Sequence, residues 1–258
     1  MTFITVAWNN LIYTPIFNLL IFFYQISFTN LGLAIIGITL FIKLITHPLT
    51  KSSMELAKKQ QSLKPQIDAL KEKYKDKQVF AQKQMELMRE NGINPALGCL
   101  PQLITIFFVF GPLYGAFHDL LNHKDSIVSR VNELTYNWNF LKFQEGQVLN
   151  THFLGMDLSV PNYYIPVLAG IAQFYLSKLM KPAVDKAEKV AKNTPDKQDD
   201  IMYNVQEQML YTMPIVTFII GISLPSGLTL YMLISTLIAA AQYLIVNRGY
   251  GSNSTNKN

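Results

Sequence analysis

Residues 31–46, LGLAIIGITLFIKLIT, decide the fold, because this run is apolar except for one charge, Lys43. Such a run approaches the roughly 20 residues that an α-helix needs to cross a bilayer. A lysine at mid-bilayer costs about 3 kcal/mol, so it usually faces a partner, a polar cavity or a transport path. The alternative is that the long side chain of Lys43 extends to the lipid headgroups.

The composition predicts an all-α integral membrane protein. Half of the residues are hydrophobic and 15% are charged, and the apolar residues gather in runs of membrane-spanning length. The single Cys99 excludes an internal disulfide, and its apolar neighbours favour a buried small side chain. We predict five spans, at residues 30–50, 99–121, 162–181, 208–224 and 227–247.

Residues 1–29 differ from the predicted spans. They are rich in aromatic side chains and carry no charge, but asparagines and Pro15 interrupt the apolar run. Two interpretations remain open for this segment. It is an amphipathic helix in the membrane interface, or it extends the first span.

The distribution of basic residues predicts the orientation. Ten of the 22 Lys and Arg residues fall within residues 51–89 and six within residues 178–197. Because cytoplasmic loops carry such an excess, we expect residues 51–92, the linker 182–207 and the tail 248–258 in the cytoplasm. The N-terminus and the loop 122–161 then lie outside. The net charge of +5 is explained by these loops beside anionic lipids, and no nucleic-acid partner is needed.

Residues 51–92 form the soluble element between the first two spans. Their apolar residues recur with heptad-like spacing, which predicts an antiparallel helical hairpin; these residues are Leu56, Leu63, Ile67, Leu70 and Tyr74. The hairpin is either a solvated spacer or a surface that contacts a partner.

Polar residues in four spans share helix faces by their spacing of three, four or seven. They either converge on one hydrophilic groove or join helices by hydrogen bonds worth about 0.6 kcal/mol each. For the set as a whole we favour the groove. Its predicted residues are Lys43, Thr39, Gln102, Thr105, Gln173, Ser177, Tyr231, Ser235 and Gln242.

An enzyme is disfavoured, because the four histidines lack metal-ligand spacing and the chain has no nucleophile elbow or P-loop. We therefore expect no catalytic residue, metal or cofactor. A small-solute transporter or channel with Lys43 in its pathway remains the alternative function, although no inverted repeat or interrupted helix pair supports it.

Five motifs in fixed order resemble those of the YidC-type membrane protein insertases, which are grouped with the mitochondrial oxidase-assembly and thylakoid insertases. The resemblance covers residues 30–248. The motifs are NLGLAIIGITLFIKLITHPLTKSSME, LKPQIDALKEKYKDK, NGINPALGCLPQLI, LGMDLSVPNYYIPVLAG and MPIVTFIIGISLPSGLTLYMLIS.

The resemblance implies a five-helix insertase core in the bacterial plasma membrane, with a groove open to cytoplasm and lipid but closed outside. It implies newly made membrane proteins and the lipid bilayer as partners, with the Sec translocon and the ribosome as further candidates. By the resemblance, Lys43 occupies the position at which bacterial members of the family usually have an arginine in the groove. Tyr231 occupies the position of a residue that contacts substrate in the family. Lysine is a compact, strongly hydrated charge whose pKa falls on burial, whereas arginine stays charged and binds carboxylates in bidentate fashion.

Overall fold

The structure, a computed structural model, describes residues 3–74, 76–93, 104–123, 126–180 and 201–254 and is mostly helical in them. The chain divides into two compact units. The first comprises Met1–Ile45, Gln102–Gln173 and Met213–Ile238, and the second Thr46–Pro101, Phe174–Thr212 and Ala239–Asn258.

The α-helices, in chain order, are α1 Phe3–Trp8, α2 Thr14–Ile26, α3 Leu31–Ile45, α4 His47–Ser62, α5 Lys64–Lys73, α6 Lys77–Glu90, α7 Gly111–Asn122, α8 Ile127–Leu134, α9 Tyr164–Met180, α10 Ile201–Ser223 and α11 Ser226–Ser254. Two π-helical turns, Asn9–Tyr13 and Ile106–Phe110, precede α2 and α7. A 3-10 turn at Asn139–Leu141 and an antiparallel pair of short strands, β1 His152–Phe153 and β2 Met156–Asp157, complete the described elements.

The core of the first unit is built on α2 and α3. Their buried residues recur at helical spacing, so each helix presents one apolar face to the interior. The turn between them at residues 27–30 is tight, and Asn30 accepts a hydrogen bond from the Leu33 N–H at 3.1 Å, which caps α3. The fully buried members of these two faces include Phe17, Leu20, Ile21, Tyr24, Ile35 and Ile38.

The predicted span 30–50 is interrupted in the structure. Helix α3 ends at Ile45, and α4 begins at His47 after a break at Thr46. Pro48 explains the break, because proline has no N–H for the carbonyl four residues earlier and its ring clashes with that carbonyl.

Two helical stretches are long and apolar enough to cross a membrane, Thr5–Ile26 with 22 residues and Ser226–Val246 with 21. The pair Leu31–Ile45 and His47–Leu56 makes a third candidate if it is taken as one span, and Tyr211–Ser223 is apolar but shorter. The all-α membrane class is therefore confirmed, with two or three candidate spans among the described residues. The predicted second span, 99–121, lies partly outside them.

Both π-helical turns have the same physical cause. In each, the N–H of the next residue bonds a carbonyl five residues back, from Thr14 to Asn9 and from Gly111 to Ile106. A proline follows directly, Pro15 in one case and Pro112 in the other. Widening the helix by one residue accommodates the missing proline donor.

Residues 126–163, which we name the cap, lie almost entirely within the predicted loop 122–161. They contain α8, the 3-10 turn and the β-strands, and they are bonded to three parts of the first unit. The N–H of Leu31 donates to the Asn150 carbonyl at 3.1 Å, and the N–H of Gly227 donates to the Leu158 carbonyl at 3.0 Å. The third attachment is to α2, through Asn18.

The second unit contains the charged helices that follow α3. Met54 of α4 packs against Tyr243 and Val246 of α11. A second cluster joins Leu63, Met88 and Ile93, with Leu56 and Ile67 packed against it. Three residues of the predicted heptad seam, Leu56, Leu63 and Ile67, thus meet in one cluster.

Candidate functional site

Lys43 lies in the last turn of α3 and is half-buried. Its helix neighbours Ile38, Thr39 and Ile42 face the core of the first unit. Among the described residues, no carboxylate pairs with its ammonium. A half-buried cation without a counter-charge keeps part of its hydration and is open to an acidic ligand.

Thr39 precedes Lys43 by one helical turn and is fully buried. Its hydroxyl donates to the Ile35 carbonyl at 2.5 Å. The backbone of α3 therefore satisfies the hydroxyl donor, and only the oxygen lone pairs are left for a further partner.

Tyr231 on α11 is 3% exposed and belongs to the apolar core. Its ring centroid lies 6.3 Å from that of Phe110, in the second π-helical turn. Its buried hydroxyl makes no hydrogen bond of standard geometry with the described residues. Ser235, one turn further along α11, is half-buried.

Gln173 on α9 is joined to α11 by a hydrogen bond. The Thr236 hydroxyl donates to its Oε1 at 3.4 Å. This hydrogen bond joins two helices, which is one of the two roles that the sequence left open for such polar residues. Thr236 was not among the groove residues predicted from the sequence. The available signal was its position directly beside Ser235, at the edge of the same polar stripe.

Gln242 and Ser177 belong to the second unit. The side-chain amide of Gln242 lies 2.9 Å from Nδ1 of His47, and its own Oε1 is buried without a partner among the described residues. His47 is thus a structural partner of Gln242 that was not among the residues predicted from the sequence. Ser177 is half-buried.

The remaining predicted groove residues are placed as follows. Thr105 is half-buried directly before the second π-helical turn, in the first unit. Gln102 lies outside the described residues. Of the eight predicted groove residues that the structure describes, the first unit holds six, namely Thr39, Lys43, Thr105, Gln173, Tyr231 and Ser235.

An open groove of about 410 Å³ lies elsewhere, between α5 and α6. Both apolar and charged side chains line it, and Lys83 forms a 2.6 Å ion pair with Glu86. It is lined by Gln66, Ala69, Leu70, Lys73, Lys83, Glu86, Leu87 and Glu90.

A charged cluster joins the cap to the N-terminal segment. Arg130 of α8 pairs with Asp119 at 2.9 Å and with Glu133 at 3.0 Å. The Tyr13 hydroxyl donates to the second carboxylate oxygen of Asp119. Burial opposes the charge of Arg130, but its hydrogen bonds to the two carboxylates outweigh burial and raise the pKa of its guanidinium.

The sequence of this chain is similar to those of known proteins that belong to one family. The sequence model of the family described as 60Kd inner membrane protein matches residues 22–253. A "Membrane protein insertase YidC" of Fusobacterium nucleatum is 33% identical over 224 residues, which are 85% of this chain and 88% of that protein.

Two further relatives carry the same description. The protein of Pasteurella multocida is 32% identical over 94% of this chain, but the match spans only 38% of that longer protein. The protein of Oceanobacillus iheyensis is 28% identical over 93% of this chain and 84% of its own length.

Proposed function

The chain belongs to the 60Kd inner membrane protein family, and from this premise we propose that it is a membrane protein insertase of the bacterial cell membrane. Its membership confirms the resemblance to YidC-type insertases that the motifs indicated. Its clients would be newly made membrane proteins, and the lipid bilayer receives their transmembrane helices.

The proposed mechanism uses no covalent chemistry. A short hydrophilic segment of a client enters a polar groove, where Lys43 and its polar neighbours replace part of its water and attract its acidic residues. The barrier to crossing falls, because charges are costly in hydrocarbon and less so beside a counter-charge. The client's apolar helix then enters lipid. This step is favourable by a free energy of roughly 25 cal/mol for each Å² of apolar area removed from water.

One observation carries this proposal, namely that Lys43 is a half-buried cation with no acidic partner among the described residues. We restrict the proposed groove to residues of the first unit, namely Thr39, Lys43, Thr105, Gln173, Tyr231 and Ser235.

The cap supports a groove that is closed on one side. Backbone hydrogen bonds tie it to the start of α3 and to the start of α11. The N–H of Ser226, the first residue of α11, donates to the Val160 carbonyl at 3.1 Å. The excess of basic residues predicts that residues 51–92 lie in the cytoplasm. We therefore propose that the cap seals the outer end, that the N-terminus lies outside and that five helices span the membrane.

We also propose that α2 lies along the outer interface, although Thr5–Ile26 is long enough to cross. Tyr13 and Ile26 are about 20 Å apart along the helix. If α2 stood upright, the cluster of Asp119, Arg130 and Glu133 bound at Tyr13 would lie near mid-bilayer, where charges are expensive. A flat α2 keeps both its ends at the surface and leaves the charged cluster in contact with water.

The test is insertion of clients into vesicles that contain purified variants. Lys43→Gln should reduce severalfold the insertion of a client with an acidic translocated tail, because the groove loses its positive charge. Lys43→Arg should preserve insertion, because the guanidinium stays charged. Protease protection of the translocated tail gives the inserted fraction.

Lys51→Gln is the matched control, because Lys51 is an exposed lysine on α4, 4.0 Å from Glu55. A client with a neutral tail should be affected little by either glutamine variant. Unchanged insertion of the acidic client by Lys43→Gln would contradict the role of Lys43. Flux of small solutes through the same vesicles would support the transporter alternative instead.

A further inference from the structure

Three exposed aromatic side chains cluster on the cap. Tyr136, Trp138 and Phe140 are 41%, 63% and 54% exposed. The rings of Tyr136 and Trp138 lie 6.1 Å apart. Such large apolar side chains are rarely left in water together, so their exposure indicates a surface that meets another phase or molecule.

Phe140 connects this cluster to α2. Its ring centroid lies 5.9 Å from that of Phe22 on α2. Phe22 is itself 38% exposed and belongs to the apolar stretch Thr5–Ile26. The aromatic cluster is therefore continuous with the exposed, apolar face of α2.

The depth of the cluster follows from the position of Phe22. The turn between α2 and α3 marks the edge of the apolar core on the cap side. Phe22 precedes the end of α2 at Ile26 by four residues, or about 6 Å of helix. The ring of Phe140 lies 5.9 Å from that of Phe22, so Phe140 is within about 12 Å of the edge whatever the tilt of α2, and nearer to it the flatter α2 lies. Trp and Tyr are enriched near this boundary.

The charges around the cluster agree with this depth. Residues 134–141 carry no charge, and the segment is bounded by Glu133 and Lys142. The side chain of Glu133 is 69% exposed and directed to Arg130. An uncharged aromatic segment flanked by charges suits the boundary between headgroups and acyl chains, where aromatic rings insert and charges stay hydrated.

We propose that Tyr136, Trp138 and Phe140 form an aromatic anchor that inserts into the headgroup region of the leaflet on the cap side, with phospholipid as its partner. The anchor holds the cap at a fixed depth in the leaflet. This surface is separate from Lys43 and does not depend on the proposed insertase activity.

Tryptophan fluorescence tests the anchor directly, because the chain has two tryptophans, Trp8 and Trp138. The variant Trp8→Phe leaves Trp138 as the only reporter. The full chain is reconstituted in vesicles of phosphatidylethanolamine and phosphatidylglycerol, with bromine on the acyl chains either near the headgroup or near the terminal methyl. Shallow bromine should remove more than half of the emission, deep bromine should remove clearly less, and aqueous iodide should have little effect.

Stronger quenching by iodide than by bromine would overturn the anchor, because Trp138 would then face water. Stronger quenching by deep than by shallow bromine would also overturn it. The companion variant Trp138→Phe retains Trp8, so subtraction of its signal from that of the wild type reports Trp138 if Trp8→Phe folds poorly. The double variant Tyr136→Ser and Phe140→Ser, with Trp138 kept, should lose shallow quenching and gain access to iodide.

Discussion

Asn18 shows how one buried polar side chain can join distant parts of the chain. Its side-chain amide donates to the Thr14 carbonyl at 2.8 Å and to the Leu134 carbonyl at 3.1 Å, and its oxygen accepts from the Tyr136 N–H at 2.7 Å. An asparagine at this depth is tolerated because nearly all its hydrogen-bonding capacity is used. At the sequence level the same residue was only an interruption in an apolar segment.

Asp157 gives the cap a pH-dependent contribution to stability. Its Oδ1 accepts from the Thr151 hydroxyl at 2.7 Å and from the Ser159 N–H at 2.8 Å. Burial raises the pKa of this carboxyl, but the hydrogen bonds outweigh burial and lower it below its ordinary value. A lowered pKa in the folded state stabilises the protein above the pKa of the unfolded state, and this contribution is lost as the pH falls through the folded value.

We therefore expect Asp157→Asn to lower the thermal unfolding temperature in detergent at pH 7, by an amount that corresponds to about 1 kcal/mol. The difference from wild type should shrink as the pH falls below about 4. Thermal scans of both proteins across this range measure the difference. Glu145→Gln, at an exposed cap position, is the control and should show no such change. A constant difference at all pH values would contradict this role of Asp157.

At the scale of elements, glycine sets how closely α3 and the cap approach. A Cβ built on Gly32 would lie 2.2 Å from Cγ of Phe153, the second residue of β1. No side-chain rotation within α3 relieves such a contact, because the clash is with the Cβ itself. The close contact of β1 with α3 therefore requires glycine at this position.

We expect Gly32→Ala to destabilise the protein by about 1–3 kcal/mol, because Phe153 must move out of its packed position. Gly111→Ala is the matched control. Its nearest contact would be the Ile106 carbonyl oxygen at 3.6 Å, an ordinary distance. Alanine there should be neutral or stabilising, since it favours helix over glycine. Denaturant titration in detergent measures both changes, and equal stability of the two variants would show that the contact with Phe153 is unimportant.

At the scale of the whole molecule, the proposed orientation can be tested by the labelling of single cysteines. With Cys99→Ala as background, Glu145→Cys lies on the cap and Ser52→Cys lies on α4, and both positions are exposed. A membrane-impermeant maleimide should label the cap cysteine in intact cells. It should label the α4 cysteine only after permeabilisation, because basic segments stay in the cytoplasm. Labelling of Ser52→Cys in intact cells would contradict the orientation.

Much of the helical architecture was predictable, because it depends on local properties. Apolar runs predicted helices that the structure places at α3, α7, α9, α10 and α11. The break after Ile45 was missed, although Pro48 is a local signal for it. The motifs indicated the family, since several of them in fixed order are far more specific than any one alone.

The sequence by itself determined the membrane class, the family and the candidate cation at Lys43, because composition, periodicity and motifs are properties of neighbouring residues. Only the tertiary structure decided which partner each polar side chain has. The bond of Gln173 to Thr236 and that of Gln242 to His47 join residues far apart in the chain. The folded structure of the cap likewise depends on long-range backbone hydrogen bonds, which join it to the start of α3 and to the start of α11. Helical periodicity fixes which face a residue occupies, but the residue opposite that face is set by packing.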